Sequence, residues 1–278
     1  MRHHYIPIFY LSQWAGADGK ICQFSRPHDR VVPNRKHPSG TGWEDDSYAM
    51  PGVPPRLQQF LEEVFLKQAD QEANDALQCM LAGGGGLTAR LRSGWSRFIM
   101  SLLSRTPDRV RQLRAMYADE LASRMDRLNS AYDEFHANDE VPPSPEQKAA
   151  DIQRENELAA GMLLQNVMDL PGVGQHLNNM RWSVFNIPNG RRTLLTSDKP
   201  VMLSRGLQYP DAYITLPISP TQLFAAANDQ AILNQIQSPA PCDATQQSNL
   251  AVTRSASKYV YGDDDYQVNF VEKYLRPA

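Results

Sequence analysis

Between residues 56 and 170 the chain carries four segments of helical period in succession, with no strand signal among them. Arg56 to Ala82 sets Leu57, Phe60, Leu61, Val64, Phe65, Ala69, Leu77, Met80 and Leu81 near one helical stripe. Leu87 to Ser104 turns Leu91, Trp95, Phe98, Ile99, Leu102 and Leu103 inward. Thr106-Pro107-Asp108 supplies an N-cap, a first-turn proline and an early acid, predicting a third helix to about Ala137. Ser144-Pro145-Glu146-Gln147 has the capping-box pattern and opens a fourth helix to about Leu170. Strand signals flank this block on both sides without alternating βαβ order, which argues against a doubly wound parallel sheet. The expected fold is α+β: a small, mainly antiparallel sheet packed on a helical layer, with a long helical insertion between N-terminal and C-terminal strands. A single domain over 1–278 is expected, with an N-terminal motif and loop (1–55), a helical region (56–170) and a sheet-rich region (171–278).

In the N-terminal part, Pro7 is placed to start a short helix that sets Tyr10 and Trp14 on one face. Lys20 to Phe24 has strand character, and 26–56 reads as a long loop pinned by Trp43 and Tyr48. Beyond the helices, Arg181 to Leu203 predicts a β-hairpin. Trp182, Val184, Phe185 and Ile187 lead into a Pro188-Asn189-Gly190 turn, and Thr193, Leu194 and Leu195 return the chain. The returning strand ends at Thr196-Ser197-Asp198, with Pro200 just beyond it. A carboxylate at a strand end suits a site, because rigid elements aim side chains well. The same three residues equally suit an Asx- or ST-turn that closes the strand. Strands at Ala212–Ile218, Leu223–Ala227 and Tyr259–Tyr261 and helices near 228–237 and 243–257 complete the chain.

Charge narrows the function. With 28 Lys+Arg against 31 Asp+Glu the formal net charge is -3, which gives no general attraction to nucleic acid or anionic membrane. No apolar run reaches the ~20 residues of a membrane span, and no membrane partner is expected. The opening residues lack a secretory pattern, and Cys22, Cys79 and Cys242 are too scattered for a disulfide framework or a zinc knuckle. A cytoplasmic setting is expected. The Gly83–Gly86 run follows a helix and is not followed by Gly-Lys-Ser/Thr, so it is a connector, not a phosphate loop.

Few residues suggest chemistry. His3 and His4 are adjacent, so along an extended chain they point opposite ways and cannot chelate one metal together. His28, His37, His136 and His176 have no metal-motif spacing. Glu62 lies beside the apolar stripe of the first long helix and can face inward, although solvated charge is the default for such a residue. Arg105, between two helices, can cap the preceding carbonyls or hold an anion with its planar fork. Nine arginines against six acids between Leu87 and Ala137 are interspersed and fit a solvated helix surface. Ser197 lacks the Gly-x-Ser-x-Gly context of a hydrolase elbow.

Several runs occur together in a characteristic order: HHYIPIFYLSQWA, GKICQF, Asp46-Ser47-Tyr48, SLLSRTP, RWSVF, TSDKPV and LPISP. In this series the chain resembles the bacterial domain-of-unknown-function family numbered forty-two thirty-eight. The resemblance points to His3 or His4, Tyr5, Pro7, Tyr48, Arg105, Trp182, Asp198 and Pro200, and it implies no reaction. Two functions from different classes follow. In the first, His3 or His4, Arg105 and Asp198 meet in a cleft of a hydrolase or nuclease-like phosphodiesterase. The Asp then orients the His or holds a divalent metal, and nucleic acid or another phosphate-containing compound is the substrate. In the second, the same residues form a structural hydrogen-bond network in a non-catalytic interaction protein.

Overall fold

The computed structural model describes all residues except 51, 52, 55–58, 85, 86, 124, 138, 140, 188–191, 239 and 278. The chain opens with strand β1 (Arg2–His4), which pairs antiparallel with β4 (Trp43–Asp45), His3 opposite Glu44 and His4 opposite Trp43. Helix α1 (Ile8–Leu11) and a 3-10 turn through Trp14 follow, as the Pro7 signal predicts. Tyr10, Leu11 and Trp14 are fully buried, and the Tyr10 and Trp14 rings lie 5.3 Å apart. The expected loop over 26–56 contains β3 (Val32–Lys36) as well as β4. Both are short, polar and partly exposed, so they lack the alternation that marks a strand. Gly42, at φ +67°, makes the turn before β4, and its carbonyl accepts from the Tyr5 and Ile6 N–H groups. A Cβ there would stand 3.2 Å from Ile6, so glycine is what lets this turn close on the N-terminal segment.

The helical layer begins with a π-helical segment, Leu61–Leu66, which runs directly into α2 (Lys67–Leu81). Helix α3 (Ala89–Ser104) is capped by Thr88 and packs closely on α2, where a Cβ at Gly94 would stand 2.8 Å from the Glu72 side chain. The expected third helix is two: α4 (Pro107–Ala122) and α5 (Met125–Phe135), separated at Ser123. Only Val110 and Leu113 of α4 are buried, and none of the described residues of α5, so tertiary packing does not hold this stretch to one axis. Helix α6 (Pro145–Met168) carries the capping box between Ser144 and Gln147. The short α7 (Pro171–Asn179) follows, with Pro171 at its first position.

Two four-stranded antiparallel sheets follow, the first built from N-terminal and C-terminal strands together and the second from C-terminal strands alone. One has the order β3-β2-β10-β6, with β2 at Ile21–Ser25, β6 at Thr196–Ser197 and β10 at Tyr259–Gly262. The other has the order β5-β9-β8-β7, with β5 at Arg181–Asn186, β7 at Met202–Leu203, β8 at Tyr213–Ser219 and β9 at Gln222–Ala227. Helices α8 (Gln230–Gln237), α9 (Pro241–Ser255) and α10 (Val268–Tyr274) complete the chain. The expected Arg181–Leu203 hairpin is not formed. Strand β5 pairs with β9 over six residues, whereas β6 pairs with β10 in the other sheet. The reason lies in two adjacent leucines. Leu194 joins the core of Phe185 and Leu223, and Leu195 joins that of Cys22 and Phe24. Both are fully buried, so 194–196 bridges two cores and is not one edge of a ribbon. The predicted Pro188-Asn189-Gly190 turn lies outside the described residues.

Antiparallel sheets on a helical layer make the fold α+β, as expected. Its main core joins the N-terminal aromatics to Trp95 and Phe98 of α3 and to Ile214, Leu216 and Phe224 of the sheet. Among the described residues no helix is long and apolar enough to cross a membrane.

Candidate functional site

Strand alternation separates the two histidines. His3 is fully buried, with its ring stacked on Tyr48 at 5.2 Å and 6°. Its Nδ1 accepts from the Tyr48 N–H at 2.9 Å, so the proton sits on Nε2, which donates to Gln59 Oε1 at 2.5 Å. Burial lowers its pKa below the ordinary value, and both ring nitrogens are engaged. His4 faces a different environment. Its Nε2 is buried with no hydrogen-bond partner among the described residues. A backbone hydrogen bond with Ser39 favours the charged ring, but burial outweighs it and lowers the pKa, as does the neighbouring Arg105 charge.

Arg105 lies at the C-cap of α3 and is completely buried. Its Nη1 donates to Asp70 Oδ1 at 3.0 Å, while Nε and Nη2 have no partner. Its carbonyl accepts from the Tyr48 hydroxyl at 2.6 Å. Burial raises the Asp70 carboxyl against the pull of the guanidinium. The fourth member is Glu62, in the π-helical segment. Burial pushes its carboxyl up to about 7, against the opposing influence of Arg105 and of the His4 backbone N–H. Its Oε2 is buried and has no partner among the described residues. His4, Glu62 and Asp70 line one cavity of about 690 Å³, with Pro7, Ile8 and Phe9 on its apolar wall and Lys67, Gln71 and Asn74 at its polar edge. That size suits a small-molecule pocket. Native proteins leave few buried polar atoms unsatisfied, so four in one neighbourhood call for a physical reason.

Asp198 sits elsewhere. Its Oδ1 accepts from the Ser257 N–H at 2.8 Å, and its Oδ2 from the Lys258 and Tyr259 N–H groups at 2.7 and 3.1 Å. Burial raises its pKa, with these three donors acting against the shift. Ser197 Oγ accepts from the Lys199 N–H at 3.1 Å, the ST-turn arrangement, and Thr196 Oγ1 meets the Tyr10 hydroxyl at 2.7 Å. No hydrogen bond joins Asp198 to either histidine; its partners are the 257–259 loop. The structure therefore brings His4 to Arg105, and leaves His3 bound to Tyr48 and Asp198 to the loop. Among the described residues no group of three or more His, Cys, Asp or Glu is arranged to hold a metal ion.

A family model described as a protein of unknown function, DUF4238, matches residues 2–266. The chain belongs to that family. Neither a curated protein nor a solved structure matches it. DUF4238 membership carries no reaction with it, so chemistry has to be argued from the side chains. Sequence reasoning passed over Asp70 altogether and gave Glu62 a solvated default. The one available signal was the position of Glu62 beside the apolar stripe, because nothing local announces a π-helical turn.

Proposed function

We propose that this DUF4238 protein is a hydrolase whose reacting groups are His4 and Glu62. The observation that carries it is the pair of buried, unpartnered atoms at the cavity, His4 Nε2 and Glu62 Oε2. Their pKa values are displaced in opposite senses from those of ordinary His and Glu side chains. His4 is held below 6.5 and is neutral at pH 7, competent to take a proton from water. Glu62, at about 7, is partly protonated at that pH and competent to protonate a leaving group. Arg105, buried behind the cavity wall and ion-paired with Asp70, acts on His4 and Glu62 through its charge. π-Helical turns are frequent at functional sites, and this one presents Glu62. In this assignment His3 and Asp198 are positioning groups: the first fixes β1 against Tyr48, the second fixes the loop after α9.

The cavity wall sets Glu63 and Asp70 against Lys67, which suits a neutral or singly charged substrate better than polyanionic nucleic acid. The non-catalytic alternative is favoured by His3 and Asp198, whose polar atoms are all engaged within the protein. Turnover of p-nitrophenyl acetate and bis(p-nitrophenyl) phosphate separates the two. The expected result is hydrolysis of at least one ester, reduced about 10²-fold or more in His4→Gln and in Glu62→Gln, with folding intact. Absence of turnover on both esters, or wild-type rates in both variants, contradicts the proposal.

A further inference from the structure

A second cavity lies on the opposite side of β1. Tyr5, the next residue after His4, lines it together with Thr106, Asp198, Lys199 and Lys258. It encloses about 80 Å³, room for a group of a few heavy atoms. A further chamber of about 320 Å³ shares Thr106, Asp108 and Lys199 with it and is walled by Leu102, Leu103 and Val201. No residue that lines the 80 Å³ cavity lines the His4–Glu62 cavity.

Donors and acceptors here are unequally matched. Tyr5 is 5% exposed and Thr106 6%, yet neither hydroxyl has a hydrogen-bond partner among the described residues. Burial raises the Tyr5 phenol above its ordinary range, so it keeps its proton and remains a donor. Thr106 stands at the N-cap of the 16-residue α4 without capping it, which leaves first-turn N–H groups and the positive end of the helix directed here. Among the described residues the Lys199 ammonium makes no ion pair, although its charge is felt by Asp108 and Asp198. The carboxylates, by contrast, are all engaged. Glu44 and Asp108 take Arg111 at 3.1 and 2.8 Å, and Asp198 takes the three loop N–H groups. Unanswered donors beside satisfied acceptors call for an acceptor from outside.

We infer that this cleft binds an oxyanion head group, phosphate or carboxylate, carried on an apolar body. The head meets Tyr5, Thr106, Lys199 and the start of α4, and the body lies against Leu102, Leu103 and Val201. The assignment does not depend on the hydrolase proposal, because its readout is binding and not turnover.

Titration calorimetry of the full chain with hexyl phosphate, hexanoate, hexanol and inorganic phosphate tests it. The stronger of hexyl phosphate and hexanoate identifies the head group. It is expected to bind about tenfold or more tighter than hexanol, which lacks the charge, and than inorganic phosphate, which lacks the body. Lys199→Met and the double variant Tyr5→Phe with Thr106→Val are each expected to weaken that ligand about tenfold. Thr106→Ser, which keeps the hydroxyl, is expected to bind as the wild type does. The removed hydroxyls have no hydrogen-bond partner among the described residues, so the melting temperature is expected to hold. Equal affinity for hexanol, or undiminished affinity in both the lysine and the double variant, overturns the inference.

Discussion

Two carboxylates, the buried Asp198 and the half-buried Glu62, line separate cavities and are treated in opposite ways. Asp198 receives three backbone N–H groups within 3.1 Å and closes a loop onto a strand end. Glu62 keeps one oxygen with no partner, beside a histidine nitrogen and two guanidinium nitrogens in the same condition. A fully satisfied carboxylate contributes stability, because removing it strands its donors. An unsatisfied one costs stability, so its presence calls for a use other than holding the fold. The contrast teaches that a carboxylate at a strand end, beside hydroxyls, is as good a loop anchor as it is a catalyst. What separates the two is the remaining hydrogen-bonding capacity of the group.

The comparison breaks most sharply at Asp198. Asp198→Ala leaves the N–H groups of Ser257, Lys258 and Tyr259 without their acceptor, and the expected loss is about 3 kcal/mol or more. For a chain of this size that lowers Tm by roughly 6–12 °C, readable by calorimetry. A Tm within 2 °C of wild type would remove the anchor role.

Glu62→Gln is expected to act with the opposite sign. The folded-state pKa of about 7 exceeds the ordinary 4.5, so the native state binds more protons between those values. Stability therefore falls as pH rises through that window, by roughly 3 kcal/mol for a shift of this size. The amide does not ionise, so the variant is expected to match wild type at pH 4.5 and to exceed it at pH 8. Denaturant melts at the two pH values check this. A variant less stable than wild type at pH 8 would contradict it.

The smallest effect is expected on the helical arm, away from both carboxylates. Phe135, at 82% exposed on α5, packs on no core cluster, so Phe135→Ser is expected to change stability by no more than about 0.5 kcal/mol. A larger loss would show that the arm is held by contacts of its own.

Much of the fold was legible because its signals are local. The Ser144–Gln147 capping box, Pro107 at a first helical position and the apolar stripe through Leu77 and Met80 each depend on neighbours in sequence. The sheet pairing was not, because Leu194 and Leu195 look alike in any periodicity count yet enter different cores. At the site, His4 and Arg105 were recognisable from the chemistry of their side chains and from the family resemblance. Their companions were not. Whether Asp198 is answered by Tyr259, or Glu62 by nothing, is fixed by segments distant in sequence, and no local spacing encodes it.

The most direct test is the ionisation of Glu62 itself. Carbon-13 NMR of glutamate-labelled protein, with Glu62→Gln to assign the resonance, follows the carboxyl through a pH titration. A midpoint near 7, with the neighbouring His4 ring titrating below 6.5, is the predicted result. A Glu62 midpoint in the ordinary range near 4.5 would mean that water or a protein group satisfies the carboxylate, and the case for an acid–base pair at this cavity would fall.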